Sequence, residues 1–570
     1  MKRFWVVLIA LFSLSIAGLG ALWLSLRQLD PRVAIKGDVL YWIVDGAYPE
    51  QRDESPFSWI VSGTGPTHIE MLQAIQAAAY DPDIDGLFLE IHALPANLAQ
   101  VQEYIAALKI FGREGKTVQA WLSSGGNREY LLAMSADEII LAPEGQLLIP
   151  GLSAELTFLA GTLEKLGMKA DYVHVGRYKS APESYELRGP SAPHQEMIDA
   201  LLDDQFAWLV ATVASDRALP SESVAALIDH GLYDAGEALE AGLVDDIAYL
   251  PDTLDDVFPT GETVDLEDYA MGRSGQFQGP EVALIHITGA IVNGESSPGG
   301  WQGASAGCWT IIDRLQAAYD DHDVKAVLLR VDSPGGSALA SDLIWNEIQA
   351  LQEIKPVVVS MGGMAASGGY YVACGADSIF ASAGTITGSI GVFSGKMDRS
   401  GFYAKIGVTR TFVTRGRNAL LYADEATFTD EQRVIISGQL EAFYDRFVAK
   451  VADARGLSPS IAASSAEGRV WSGRQGLDLG LVDGLGGFQR SEASIRTVLG
   501  LPPRAVLNLG GDVRSPSFLE RVIMKSLRND QAIVAPALIE ASAGLGGLVP
   551  FVSLFDGRPL ALQPVRVELH

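Results

Sequence analysis

The stretch Leu315–Asp332 reads LQAAYDDHDVKAVLLRVD and the stretch Ile75–His92 reads IQAAAYDPDIDGLFLEIH, so Leu315 stands 240 positions after Ile75. The same spacing aligns Tyr130 with Tyr370, Asp137 with Asp377 and Gly167 with Gly407, and it drifts only to 238 where EAGLVD at Glu240 meets DLGLVD at Asp478. A register held over such a distance means one folding unit used twice, which excludes most single-core architectures. The start of each unit also matches, PRVAIKGDVL at Pro31 against PEVALIHITGAI at Pro280. The chain therefore divides into residues 1–29, a first unit over 30–268, a Gly-rich linker over 269–280 containing GRSGQFQG, a second unit over 281–500, and a tail over 501–570.

Within each unit short apolar, β-branched runs alternate with helical patterns. AVLLRVD, PVVVSMG and SIFASAG are separated by ALASDLIWNEIQALQEI and SGGYYVACGA. Continuous apolar runs between helices predict parallel strands buried on both faces, hence an α/β fold. HQEMIDALLDDQFAWLVATVASDR and TDEQRVIISGQLEAFYDRFVAKVADARG predict two long amphipathic helices, each with a capping residue near its start.

Residues 1–29 open with Lys2 and Arg3 and continue as an uncharged run from Phe4 to Leu26. That run is long enough to cross a hydrocarbon core of about 30 Å and longer than the apolar region of a cleaved signal. It predicts a retained transmembrane anchor with its N-terminus in the cytoplasm. The rest of the chain then lies beyond the membrane, in the periplasm of a Gram-negative bacterium. The net charge of −28 argues against a nucleic-acid partner, since phosphate is repelled. Two cysteines, Cys308 and Cys374, exclude a disulfide scaffold and a cysteine-based zinc site, and no HExxH or clustered ligand set points to a metal.

Positions where the two copies differ carry the chemical information. Ser367 in GGMAASGGYY faces Asn127 in SSGGNREY, whereas Lys179 in VGRYKSAPE faces Ala419 in RGRNALLYA. One copy has the serine and lacks the lysine; the other has the reverse. DSPGGS (Asp332–Ser337) of the second copy is matched by HALPAN in the first, so the glycines accompany the serine. The pattern suggests one composite site to which each half contributes a partner. Serine needs an adjacent base to become a nucleophile. A Gly-Gly turn lets a backbone N–H approach a bound carbonyl. Taken alone, Ser367 reads equally as a helix cap, Pro-Gly-Gly as an ordinary tight turn and Lys179 as a solvated charge. For a lysine to act as base near neutral pH its pKa must fall from about 10.4 to roughly 7–8, which requires burial or a nearby cation such as Arg177. No histidine lies in a motif-like setting, and His174 and His194, nearest in sequence to Lys179, are the alternatives for the base.

GGMAASGGYYVACGAD, DSPGGS, TGSIGV and VGRYKSAPE, on a duplicated chain behind an apolar N-terminus, resemble the signal peptide peptidase A family in its long two-domain bacterial form. The resemblance covers nearly the whole chain. It implies a tandem duplication of a Clp/crotonase-like α/β domain, a serine–lysine dyad and a membrane-anchored homotetramer without cofactors. By motif, Ser367 is then the nucleophile, Lys179 the general base, and Gly336 with the N–H of Gly368 the oxyanion hole. Ser389 of TGSIGV is similar to the family serine that orients the lysine, though a turn serine reads the same way. The implied substrates are apolar signal peptides left in the membrane after secretion. Two other readings compete: an acyl-CoA enzyme of crotonase type, and a non-catalytic membrane scaffold. In the tail, SPSFLERVIMKSLRND reads as an amphipathic helix, and PALIEASAGLGGLVPFVSLF as an apolar segment that packs on the protein or on the membrane surface.

Overall fold

The two apolar runs VLLRV and VVVSM lie side by side as strands Val324–Ser333 and Val357–Ala366, paired in parallel from Val327↔Val357 to Val331↔Met361. A computed structural model describes residues 39–52, 65–257, 263–273, 279–297, 303–511, 560–562 and 567–569. The apolar run of Phe4–Leu26 and the two tail segments expected to be helical or apolar lie outside the described residues. No helix among the described residues is long and apolar enough to cross a membrane.

Each copy builds one main sheet, parallel throughout in the first and parallel except for the antiparallel Val470–Ser472 edge in the second. In the first, the strands follow the order Thr263–Asp265, Val39–Asp45, Gly86–Ala93, Thr117–Leu122, Glu138–Leu141 and Asp246–Ile247. In the second, Asn508–Gly511, Glu281–Thr288, Val324–Ser333, Val357–Ala366, Ile386–Gly388 and Val470–Ser472 are neighbours, with Ser378–Ala381 and Gly484–Leu485 branching from the strand Val357–Ala366. The long helices appear as Ala192–Asp216 and Asp430–Arg455, capped by Ser191 and Thr429. Both cysteines are buried and free.

The alternation along the second sheet explains how the halves meet. Ile285, Ile287, Leu329, Val331, Val359 and Met361 point into the second unit's own core. Val282, Ala326, Leu328 and Val358, on the opposite face, join the core of the first unit. Both faces are buried, which is why these strands read as unbroken apolar runs rather than alternating ones. Helix Leu98–Arg113 of the first unit lies across this face; a Cβ on Gly363 would come within 2.6 Å of Asn97, and one on Gly384 within 2.5 Å of Leu98.

The sheets depart from the expected boundaries at two places. Residues Leu266–Arg273, placed by sequence mostly in the linker, form a helix whose Tyr269 is buried and donates to Asp81, so the first unit continues through it. Strand Asn508–Gly511, placed in the tail, completes the edge of the second sheet beside Glu281–Leu284. A third, mixed sheet draws on both copies. It orders Ser305–Gly307, Ala290–Val292, Gly335–Ser337, Leu560–Leu562, Val392–Asp398 and Lys169–Val175. Through it a strand of the first half is stitched into the second.

Candidate active site

Strand Val357–Ala366 runs directly into helix Gly368–Ala373, and Ser367 occupies the corner between them with φ 57° and ψ −113°. Such a conformation costs a non-glycine residue about 1–3 kcal/mol and persists only where the surroundings enforce it. The serine stands at the helix N-cap but its hydroxyl makes no capping bond. Its own N–H donates to Gly388 O at 2.8 Å. Gly368 and Gly369 follow because there is no space for a side chain: a Cβ on the first would lie 2.6 Å from Ser341 Oγ and 3.0 Å from Gly336 N, and on the second 2.7 Å from Ser333 O. The start of the helix thus packs directly on the Asp332–Ser337 turn.

Lys179 arrives from the other half. Strand Lys169–Val175 pairs antiparallel with Val392–Asp398, from Val175↔Val392 to Lys169↔Asp398. Gly176, at φ 109°, then turns the chain against Glu467 and Gly468 of the second unit. Tyr178 N donates to Glu467 O at 2.7 Å, and Gly468 leaves room for the Lys179 backbone, 2.6 Å from where its Cβ would be. The side chain is 1% exposed and ends with Nζ 2.5 Å from Ser367 Oγ, 3.0 Å from Ser389 Oγ and 3.1 Å from Ser389 O. Burial holds the amine well below the ordinary lysine value. A neutral amine has two N–H donors and one lone pair. An uncharged Lys179 that donates to the Ser389 carbonyl and hydroxyl would have its lone pair left for the Ser367 O–H.

Gly336 lies in the short strand Gly335–Ser337, beside Ile291; a Cβ there would stand 2.0 Å from Ile291 O. Ser389, like Ser367, is a non-glycine residue at positive φ, 52°, and its N–H donates to Arg469 O at 2.7 Å. All five residues singled out by sequence, Ser367, Lys179, Ser389, Gly336 and Gly368, therefore lie in one buried cluster. The histidine alternatives are elsewhere engaged: His174 Nδ1 meets Gly176 O and His194 Nδ1 meets Glu183, and neither bonds Ser367. Arg177, considered as a cation acting on the lysine, is exposed and pairs with Glu196, so desolvation alone accounts for the depressed amine. Sequence reasoning missed the Ser389 carbonyl and the Glu467–Gly468 cradle. It also missed Arg330, whose signal was a lone charge inside VLLRVD.

The Asp332–Ser337 turn also carries a further strand along its edge. The backbone of Leu560–Leu562 runs antiparallel to Gly335–Ser337 with Gly336 opposite Ala561, and its other edge meets Phe393.

The "Peptidase family S49" model matches residues 111–257 and 349–500. "Serine protease SPPA, chloroplastic" of Arabidopsis thaliana is 31% identical over 485 residues, 82% of this chain and 70% of that protein. "Protease 4" of Haemophilus influenzae is 33% identical over 479 residues, covering 79% and 77%, and "Protease 4" of Salmonella typhi 33% over 444 residues, covering 74% and 71%. With a strained serine held against a buried lysine, and with likeness over most of its length, the chain belongs to peptidase family S49 and is a serine peptidase.

Proposed function

We propose that the peptidase works through a Ser367–Lys179 dyad and cleaves extended apolar peptides, with signal peptides remaining in the membrane after secretion as its substrates. The observation carrying the reading is the 2.5 Å approach of Lys179 Nζ to Ser367 Oγ in a setting that favours the uncharged amine. The Lys179 lone pair takes the Ser367 proton as Oγ attacks the scissile carbonyl. The N–H groups of Gly336 and Gly368 receive the developing oxyanion. The ammonium so formed then protonates the leaving amine, and the regenerated amine activates the water that releases the acyl-enzyme. Ser389 orients the amine throughout.

Substrate lies, in this reading, as the antiparallel strand beside Gly335–Ser337 where Leu560–Leu562 now sits. The duplicated architecture is of Clp/crotonase type, anchored by Phe4–Leu26 in the bacterial inner membrane. Its catalytic part is on the periplasmic side, in a homotetramer. The acyl-CoA and scaffold readings give way to the serine peptidase family.

Ser367→Ala and Lys179→Ala, each assayed on an apolar peptide ester and amide, test the dyad. Loss of a nucleophile or its base removes at least about 100- to 10,000-fold of the rate. Lys179→Ala activity within tenfold of the unaltered enzyme would falsify the dyad.

A further inference from the structure

The strand pairing beside Ser367 is irregular. Val331 faces Met361, but the next pair is Ser333 with Ala365, so the single residue Asp332 opposes the three residues Gly362–Met364. Such a bulge bends its strand and re-aims the residues beyond it, here the segment ending at Ser367. A bulge also leaves backbone groups without ladder partners. Asp332 supplies one: its Oδ1 accepts from Met364 N at 2.9 Å. Thr385 supplies another by donating to Gly362 O at 2.8 Å. Gly362 is required because the Asp332 side chain fills the space its Cβ would occupy, 2.9 Å from Asp332 Cβ.

The same residue begins the oxyanion turn. The Asp332 carbonyl accepts from Gly289 N at 2.9 Å; Ser333 Oγ donates to Gly289 O at 2.6 Å and accepts from Gly335 N at 3.1 Å. In the first copy His92 stands 240 positions earlier and turns to Glu90 and Ser123 instead. The carboxylate is thus present in the half that keeps the serine and absent from the half that lost it.

We infer that Asp332 is a positioning residue of the peptidase reaction: its side chain holds the Gly362–Met364 bulge and its backbone holds the oxyanion turn, fixing nucleophile and oxyanion donors relative to each other. The inference rests on the reading of Ser367 as nucleophile.

The charged groups facing Asp332 come from both halves. Arg330, two residues earlier on its own strand, is shared by Glu50 and Glu103 of the first unit, with contacts of 2.6 to 2.9 Å. His68, on helix His68–Tyr80, bonds Glu103 at 2.7 Å, and His286 lies beside Arg330 on the neighbouring strand. One guanidinium thus serves two carboxylates, and Asp332 is a third. Burial and the Glu50 charge push the Asp332 carboxyl up to about 6, against the Met364 bond and Arg330. Protonation below that pH weakens the grip on Met364.

The test is the pH dependence of kcat and KM, from about pH 5 to 9, for the full chain and its Asp332→Asn, Asp332→Ala and Ser367→Ala variants on an apolar peptide ester. Asparagine keeps the acceptor and loses the ionisation. Asp332→Asn is expected within about threefold of the unaltered enzyme at pH 8, with an acid limb of kcat/KM reduced from two protonations to one. Asp332→Ala is expected to lose about tenfold or more in kcat with KM within about threefold. Asp332→Ala with unchanged kcat, or Asp332→Asn with an unchanged acid limb, overturns the inference; the second decides alone if the alanine variant does not fold. Activity in Ser367→Ala overturns the nucleophile reading, a different failure.

Discussion

Lys179→Met replaces the buried amine by a side chain of similar length that cannot ionise, and so isolates the protonation state on which the mechanism depends. In the folded chain Lys179 is 1% exposed and burial holds its amine well below the ordinary value. In the unfolded chain it titrates near 10.4. Between those two values the unfolded state binds one proton more than the folded state, so this group's contribution to stability rises with pH through that window and is lost as pH falls from about 10.4. The slope is about 1.4 kcal/mol per pH unit. Relative to Lys179→Met, the unaltered protein should therefore gain stability as pH rises towards about 10.4. A direct assay needs no two-state assumption: at pH 9, denaturant unfolding followed with an indicator dye should take up about one more proton per chain from the unaltered protein than from Lys179→Met. Equal uptake would mean that the folded protein already carries an ammonium at Lys179, and the general-base assignment would fail whatever the activity measurements show.

Removing Arg330 leaves Glu50 and Glu103 buried without a counter-charge, so Arg330→Ala should cost about 3–5 kcal/mol by denaturant unfolding, part of it recovered by adding Glu50→Gln and Glu103→Gln. Ser389→Ala removes the hydroxyl 3.0 Å from Nζ but not the carbonyl, and kcat should fall about 10- to 100-fold, with folding unchanged by circular dichroism. Ending the chain before Leu560 vacates the slot beside Gly335–Ser337; kcat/KM for a short apolar peptide should rise, and an added peptide carrying the Leu560–Leu562 sequence should inhibit the shortened enzyme competitively.

The repeat at 240 residues makes the two parallel sheets legible, because a doubled pattern of short apolar runs has few other solutions. The copy differences make Ser367 and Lys179 legible for a chemical reason: a composite site needs each reacting group once, so the copies diverge there. What stays hidden depends on long-range pairing. Nothing local in KADYVHV indicates that Lys169–Val175 pairs with Val392–Asp398, far along the chain, rather than with its own unit. Ser389 meets Lys179 partly through its backbone carbonyl, which any residue possesses. Leu266–Arg273 reads mostly as linker because its glycine and charges obscure an apolar face of only Leu266, Tyr269 and Ala270.

The proposed reaction sets two requirements against each other, and the structure meets the first, with Lys179 1% exposed. A lysine serves as base only if its amine is withdrawn from water, whereas its serine partner must remain reachable by a peptide. Lys179 on one unit alone would lose the residues that close over it, Ser389, Glu467 and Gly468, which belong to the other. The second unit alone would keep Arg330 on a face whose partners, Glu50 and Glu103, are gone. Arg330 and Asp332 lie on the same face of one strand, and that strand runs into the Gly335–Ser337 turn beside Ser367. The electrostatic joint between the halves is therefore continuous with the geometry of the site. Separation of the halves would strip Lys179 of the residues that bury it and Arg330 of its two carboxylates together.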